Sequence, residues 1–138
     1  MNPATYTLPR TGDAPLTFQG ELVARSSAQQ QPTKRDLPLE RRYHVLAIYR
    51  TLKQQHVGHI TYVTTWQGEL GDALAVVGTL DEVVAWFRDY DPTGPVAGFP
   101  AGRGFADRQQ RLLEAIELGY DSALSTLLAW LGISEIVE

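Results

Sequence analysis

The residues with the clearest potential for binding chemistry lie in two stretches that are rich in tyrosine, valine, isoleucine and threonine. These stretches cover residues 42–52 and 57–66, and the short polar segment between them predicts an antiparallel hairpin. Pairing Leu52 with Val57 sets a register that places four aromatic side chains on one face: Tyr43, Tyr49, Tyr62 and Trp66. A slip of one residue would exchange the faces of one strand, and no Asn-Gly or Asp-Gly turn prevents it.

This aromatic face has two interpretations. Sheets that carry aromatic side chains beside arginines can stack unpaired bases, and Arg42 and Arg50 belong to the same hairpin, so the six residues form a candidate ligand- or partner-binding site. The other interpretation is that aromatic pairs stabilise the sheet and face a helix or a second subunit. The net charge of −4 opposes attraction to phosphate backbones and favours the second interpretation.

The histidines are candidate metal ligands, and thiolate ligands are excluded because the chain has no cysteine. His56 and His59 are close in sequence, and His44 belongs to the other strand of the hairpin. In the predicted register His59 lies opposite Arg50, and His44 lies roughly 20 Å further along the sheet. The histidines therefore do not converge, and neither a metal site nor any other cofactor is predicted.

Acidic residues near predicted turns could supply a general acid and a general base. The candidates are Glu69, Asp72, Asp89 and Asp91. No spacing brings two of them together, and no Gly-x-Ser-x-Gly pattern marks an activated serine. No catalytic residue is predicted, and the sequence leans against an enzymatic function.

A segment rich in glycine and proline, residues 91–104, connects two predicted helices. Free amides at its end and one arginine could hold a phosphate or carboxylate, which makes Gly102, Arg103 and Gly104 a candidate anion-binding loop. The segment has neither the P-loop nor the dinucleotide-binding spacing of glycines. A connector of this composition needs no ligand, so both interpretations stay open.

The elements that would position these residues follow from hydrophobic periodicity. The alternation of apolar and polar side chains predicts a strand over residues 16–25. A mobile loop is predicted over residues 26–38 because this segment has little apolar surface to bury. Residues 73–77 fit either a short buried strand or part of a helix.

Helices are predicted in the second half of the chain. Thr79 and Glu82 match a capping box, which predicts a helix from Leu80 to Tyr90. An apolar stripe then continues to a glycine cap at Gly132, and Gly119 leaves open whether this segment forms one helix or two.

The order of these elements predicts an α+β fold, with an antiparallel β-sheet of three to four strands packed against two to three C-terminal helices. A chain of 138 residues suits a single domain covering residues 1–138. Its apolar stretches are far shorter than the roughly 20 residues of a membrane span, and no export signal is recognised. A soluble, cytoplasmic protein without membrane contact is therefore expected.

The charge is unevenly divided along the chain. Residues 1–58 carry eight lysine or arginine residues and four acids, whereas residues 59–138 carry four arginines and twelve acids. This asymmetry could form a dipolar surface for self-association or for an acidic partner, although mixed solvated faces are the commoner result.

No motif in the sequence specifies a reaction. The sequence favours a small non-catalytic binding or protein-interaction module that forms a homodimer, through either the aromatic face or the terminal helix. One alternative is a nucleic-acid-associated or regulatory protein that uses the aromatic face and its arginines. A second alternative is a small-ligand-binding protein or hydrolase that uses residues 91–104 as a lid.

Overall fold

The computed structural model describes residues 3–27, 42–64, 71–94 and 106–132. These residues form a five-stranded antiparallel sheet in the order β1-β2-β3-β4-β5 and two helices. The elements are β1 (Ala4–Arg10), β2 (Asp13–Ser27), β3 (Arg42–Thr51), β4 (His56–Thr64), β5 (Asp72–Gly78), α1 (Leu80–Asp89) and α2 (Ala106–Trp130). The α+β class is confirmed. The strand count of three to four was too low because β1, at the amino-terminal end, was not predicted.

One face of the sheet, the helix face, is covered by α1 and α2. Helix α1 contacts β4 and β5, whereas α2 contacts β2 and β3. The core on this face is made by aliphatic residues of the central strands and by one stripe from each helix: Leu46, Ile48, Ile60, Val83, Phe87 and Leu127 are all essentially inaccessible to solvent. Burying these stripes is the main stabilisation of helices of this length.

The capping box that begins α1 is confirmed. The amide of Glu82 donates to the Thr79 hydroxyl, and the Glu82 carboxylate accepts from the Thr79 amide. Helix α2 is continuous through Gly119, and Gly132 adopts the left-handed conformation (φ 73°) that suits a residue just after a helix. The helix was therefore not split in two.

The opposite face of the sheet is covered by the chain's own β1–β2 hairpin, and we call it the hairpin face. Tyr6 and Phe18 lie over Tyr49 of β3, with ring centroids 4.8 and 5.4 Å from the Tyr49 ring. At the tip of the hairpin the amide of Thr11 donates to the carbonyl of Ala73 in β5 at 2.7 Å. Strand β4 is consequently buried on both faces, which explains why four consecutive residues, from Val57 to Ile60, are buried.

The sheet curls at Gly20 and at a bulge in β2. A Cβ atom at Gly20 would overlap the carbonyl oxygen of Arg50 and lie 2.9 Å from the Cα atom of Thr51, so only glycine allows this close approach. The register shifts between Leu22 and Ala24, which moves Ala24 to the helix face while Leu22 stays on the hairpin face. The predicted alternation through residue 25 was therefore wrong beyond the bulge.

The register of the β3–β4 hairpin also differs from the prediction. Val57 lies opposite Tyr49, and the predicted partner, Leu52, belongs to the turn. The amide of Thr51 donates to the carbonyl of Gln55, and Gln54 takes a positive φ of 66°. A turn of this kind has no sequence signature as strong as Asn-Gly, which is why the pairing could not be inferred locally.

Two further predictions are corrected or decided. Ser26 and Ser27 belong to β2 and Ser26 is buried, so the predicted mobile loop does not begin at residue 26; residues 28–38 lie outside the described residues. Residues 73–77 belong to a strand rather than a helix.

In the predicted connector, residues 91–94 form a turn in which Asp91 accepts hydrogen bonds from the amide and hydroxyl of Thr93, and residues 95–104 lie outside the described part.

Candidate functional site

The predicted aromatic face does not form as a single surface. Tyr43 and Tyr49 lie on the hairpin face, whereas Tyr62 pairs with His44 and lies on the helix face, where it is 1% exposed. The observed register differs from the predicted one by three residues, and an odd shift moves every side chain of one strand to the other face. Trp66 lies outside the described residues.

The predicted arginines are also separated. Arg42 lies opposite Thr64 at one end of the hairpin, and Arg50 lies opposite His56 at the other end. Arg50 forms an ion pair with Glu21 of the neighbouring strand, so its charge is partly neutralised. The candidate anion-binding residues Gly102, Arg103 and Gly104 lie outside the described residues.

A cavity of about 170 Å³ lies beside this ion pair. It is lined by Pro3, Gly20, Glu21, Arg50, Thr51, Leu52 and Gln54. Burial lowers the pKa of the neighbouring His56, and the positive charge of Arg50 lowers it further. The cavity is smaller than the usual small-molecule site, and its one cation already has a carboxylate partner.

A cluster of His44 with three tyrosines lies between the sheet and both helices. His44 is 3% exposed, and its ring lies 5.1, 5.6 and 5.4 Å from those of Tyr62, Tyr90 and Tyr120. Desolvation lowers the pKa of His44 to about 4, although the carboxylate of Asp72 opposes this effect. Desolvation, with the charges of Asp72 and Asp91, raises the pKa of Tyr90 to about 12.

These tyrosines have structural partners. The Tyr120 hydroxyl donates to the carbonyl of Phe87 at 2.6 Å, in the last turn of α1 where carbonyls have no helical partner. Burial is also the largest cause of the raised pKa of Tyr120. The adjoining cavity, between His44, Ile116 and Tyr120, measures about 10 Å³, so it has room for no more than one water molecule.

The remaining buried histidine joins the two layers on the hairpin face. Nε2 of His59 lies 2.9 Å from the carbonyl oxygen of Pro9 in β1, which ties the covering hairpin to β4. His59 lies opposite Ala47 rather than Arg50, and on the face opposite to His44. Within the described ranges no group of three histidine, aspartate or glutamate side chains could hold a metal ion.

The outer edge of β5 carries a different kind of binding potential. The amide of Ala73 donates to the Thr11 hydroxyl and its carbonyl accepts from the Thr11 amide, so both groups point away from β4. Backbone groups alternate along an antiparallel strand, so those of Ala75 and Val77 point the same way. Among the residues described, none is hydrogen-bonded to these four groups, which we call the β5 edge.

Apolar surface accompanies the β5 edge. Val77 is 42% exposed, and residues 73–79 include no charged residue and no proline. The sequence marked residues 73–77 as a possible strand, but it could not show which of its edges would remain unpaired. That depends on where the β1–β2 hairpin crosses the sheet.

Comparisons with known proteins found no resemblance. No protein-family model, no curated protein and no solved structure matches this chain. In the part of the chain that the structure describes, no helix is long and apolar enough to cross a membrane.

Proposed function

We propose that this protein is a non-catalytic protein-interaction module that binds an extended segment of a partner along the β5 edge. The observation that carries the proposal is the set of four outward-pointing backbone groups of Ala75 and Val77, which have no hydrogen-bond partner among the described residues. An unpaired strand edge with apolar side chains is a template for an added strand. Main-chain hydrogen bonds would give affinity, and the exposed Val77 side chain would give apolar contact.

The other free edges of this sheet carry features that discourage strand addition. Strand β1 includes Pro9, which has no amide hydrogen to donate. Residues 21–27 of β2 include the bulge at Val23, which disrupts a regular ladder. Strand β5 has neither feature. This contrast favours β5 as the edge that binds a partner.

Three side chains with potential for chemistry, those of His44, His59 and Arg50, have internal contacts, which supports a binding function. His44 and Tyr90 share a hydrogen bond inside the core, and His59 contacts the carbonyl of Pro9. Arg50 is paired with Glu21. These contacts stabilise the fold, whereas the outward-pointing backbone groups of the β5 edge have no hydrogen-bond partner among the described residues.

The proposal is tested with an Ala75→Pro variant. Proline removes an outward-pointing amide hydrogen at this position and no hydrogen bond to β4. The matched control is Ala75→Ser, which keeps the amide hydrogen, and circular dichroism establishes that both variants fold. Random seven-residue peptides displayed on phage are selected against the wild-type chain, and their affinities are then measured by fluorescence anisotropy. We expect binding to the wild type and the serine variant, and at least about a tenfold loss with proline.

Two results would contradict this function. One is equal affinity of the selected peptides for the proline and serine variants. The other is a selection that enriches no peptide above a blank surface.

Self-association is a second candidate function, favoured by a separate observation on α2. Two large apolar side chains of α2 are exposed to solvent: Trp130 is 75% exposed and Leu118 is 71% exposed. A homodimer formed through the C-terminal end of α2 would cover Trp130. Sedimentation equilibrium at two salt concentrations tests this candidate: a dimer of the 15.3 kDa chain should become a monomer in Trp130→Ser. A wild-type monomer at both salts would exclude it.

A further inference from the structure

We propose that the segment bound at the β5 edge is a short basic peptide, with lysine or arginine residues on both sides of a three-residue core. This inference rests on the proposed function, because it concerns the partner of the same edge. It follows from the length of the free edge and from the charges at its two ends.

The free edge is short because both of its ends are closed by the chain itself. At one end Thr11 occupies the outward-pointing groups of Ala73. At the other end the amide of Thr79 donates to the Glu82 carboxylate and its carbonyl accepts from the amide of Val83. The open part spans Ala75 to Val77. A partner strand can therefore form four main-chain hydrogen bonds there, from two of its residues.

The side chains of the partner are partly specified by the same geometry. Its two hydrogen-bonded residues would lie opposite Ala75 and Val77 and point toward the hairpin face, as these two residues do. The exposed Val77 favours a β-branched or other apolar side chain at the facing position. The residue between them would point to the helix side, beside Val76.

Acidic residues stand at both ends of this edge. Asp72 precedes the closed end, and its carboxylate accepts from the outward-pointing amide of Ala73 at 3.1 Å. Asp81 and Glu82 lie exposed in the first turn of α1, just beyond the other end. Residues 72–87 include these three acids and no lysine or arginine. The residues that flank the three paired positions of a bound peptide would lie beyond the open part, without pairing to β5, where these carboxylates favour positive charge.

The same charges disfavour a second copy of this chain as the occupant. Antiparallel pairing of two β5 strands about Val76 would direct Asp72 of each copy toward Asp81 and Glu82 of the other. Like charges facing one another across a strand pair are destabilising. A nucleic acid is disfavoured for the same reason, since its phosphates would meet the carboxylates.

The experiment uses defined peptides and the full chain. The basic probe is acetyl-Lys-Lys-Val-Thr-Val-Lys-Lys-amide with a fluorophore on its first lysine. Two further probes carry serine or glutamate in place of the remaining lysines. Anisotropy titrations at about 50 and 500 mM NaCl, which differ strongly in charge screening, give the three affinities. We expect the basic peptide to bind about tenfold more tightly than the serine peptide at low salt, and the glutamate peptide to bind more weakly than both.

A charge variant of the protein completes the test. Asp72→Asn combined with Asp81→Asn should lower affinity for the basic peptide about tenfold and leave the serine peptide unaffected. Asp89→Asn is the matched control, because Asp89 is an exposed acid at the other end of α1. It should change neither affinity.

The outcomes separate the inference from the function beneath it. If serine and basic peptides bind equally and Ala75→Pro weakens both, the strand edge is the binding site and the basic partner is wrong. If Ala75→Pro leaves the basic peptide bound as tightly as before, simple charge attraction is responsible and both proposals fail. If the wild-type chain forms a dimer that Ala75→Pro dissociates, a second copy is the occupant and the inference is overturned.

Discussion

The hydroxyl of Tyr90 lies 3.4 Å from Nε2 of His44, inside a core that excludes solvent from the imidazole. Tyr90 directly follows the last residue of α1, and His44 belongs to β3. Their contact therefore attaches the end of the helix to the sheet. Burial holds the pKa of His44 at about 4, so the imidazole is neutral at physiological pH. The contact between His44 and Tyr90 depends on this neutral form.

Stability should fall as the pH is lowered from about 6.5 to about 4. The unfolded chain binds a proton on His44 near its ordinary pKa of 6.5, whereas the folded chain does so only near 4. The stabilising contribution is complete above pH 6.5 and is lost progressively as the pH falls toward 4. The difference amounts to about 2 kcal/mol at pH 5, and urea unfolding at pH 7 and pH 5 measures it.

The control is His44→Gln, which removes this titration. The variant should be less stable at pH 7, and it should lose less stability between pH 7 and pH 5 than the wild type. An equal loss in the two proteins would assign the pH dependence to groups other than His44.

Tyr120→Phe should destabilise the fold by about 1–2 kcal/mol. The substitution keeps the ring but removes the hydroxyl that donates to the Phe87 carbonyl in the last turn of α1. That carbonyl is buried and would be left without its donor. Thermal unfolding followed by circular dichroism measures the effect, and Tyr6→Phe is the control because the Tyr6 hydroxyl has no hydrogen bond to any of the described residues, whereas its ring contacts Phe18 and Tyr49. Equal effects of the two substitutions would refute the capping role of Tyr120.

Gly20→Ala should destabilise the protein by roughly 3 kcal/mol, because the added methyl group overlaps the backbone of β3. Backbone atoms cannot rotate away as the end of a side chain can, so the curl of the sheet must change. Gly94→Ala is the comparison, since a Cβ there would meet nothing within 4 Å. Chemical denaturation measures the free energy of unfolding of both variants. A stable Gly20→Ala protein would mean that the sheet can open at this point without cost.

Replacing Tyr49 and replacing Tyr62 by alanine should have independent effects, because the two residues lie on opposite faces of the sheet. Tyr62→Ala removes a fully buried ring from the helix face and should cost about 3–5 kcal/mol of stability. Tyr49 lies on the other side of the sheet, so the two rings cannot stack bases of one oligonucleotide. Anisotropy with a labelled single-stranded oligonucleotide should show no binding that depends on either tyrosine. Weaker binding by Tyr49→Ala would restore the nucleic-acid alternative.

Local patterns were sufficient where the interactions that decide the structure are local. The capping box at Thr79 and Glu82 involves residues three apart in sequence, and helix α1 began where this pattern predicted. Gly132 followed α2 as predicted because a left-handed residue after a helix favours glycine. The α+β class followed from the order of the elements along the chain.

The candidate sites depended on interactions that the sequence does not display. The predicted aromatic face required one strand register, and the observed register moved Tyr62 away from Tyr49. The cluster of His44, Tyr90 and Tyr120 joins three elements that are far apart in sequence. No spacing rule connects such residues, because their distances are set by packing.

The sequence by itself determined that residues 16–25 and the two segments of the β3–β4 hairpin form strands and where helix α1 begins, because propensity, capping and periodicity act between neighbouring residues. Tertiary structure alone decided the register of β3 and β4, the crossing of the β1–β2 hairpin over the sheet, and the unpaired edge at Ala75 and Val77. These features depend on the close approach at Gly20 and on burial of both faces of β4. Both are properties of the whole sheet, in which side chains distant in sequence compete for the same space.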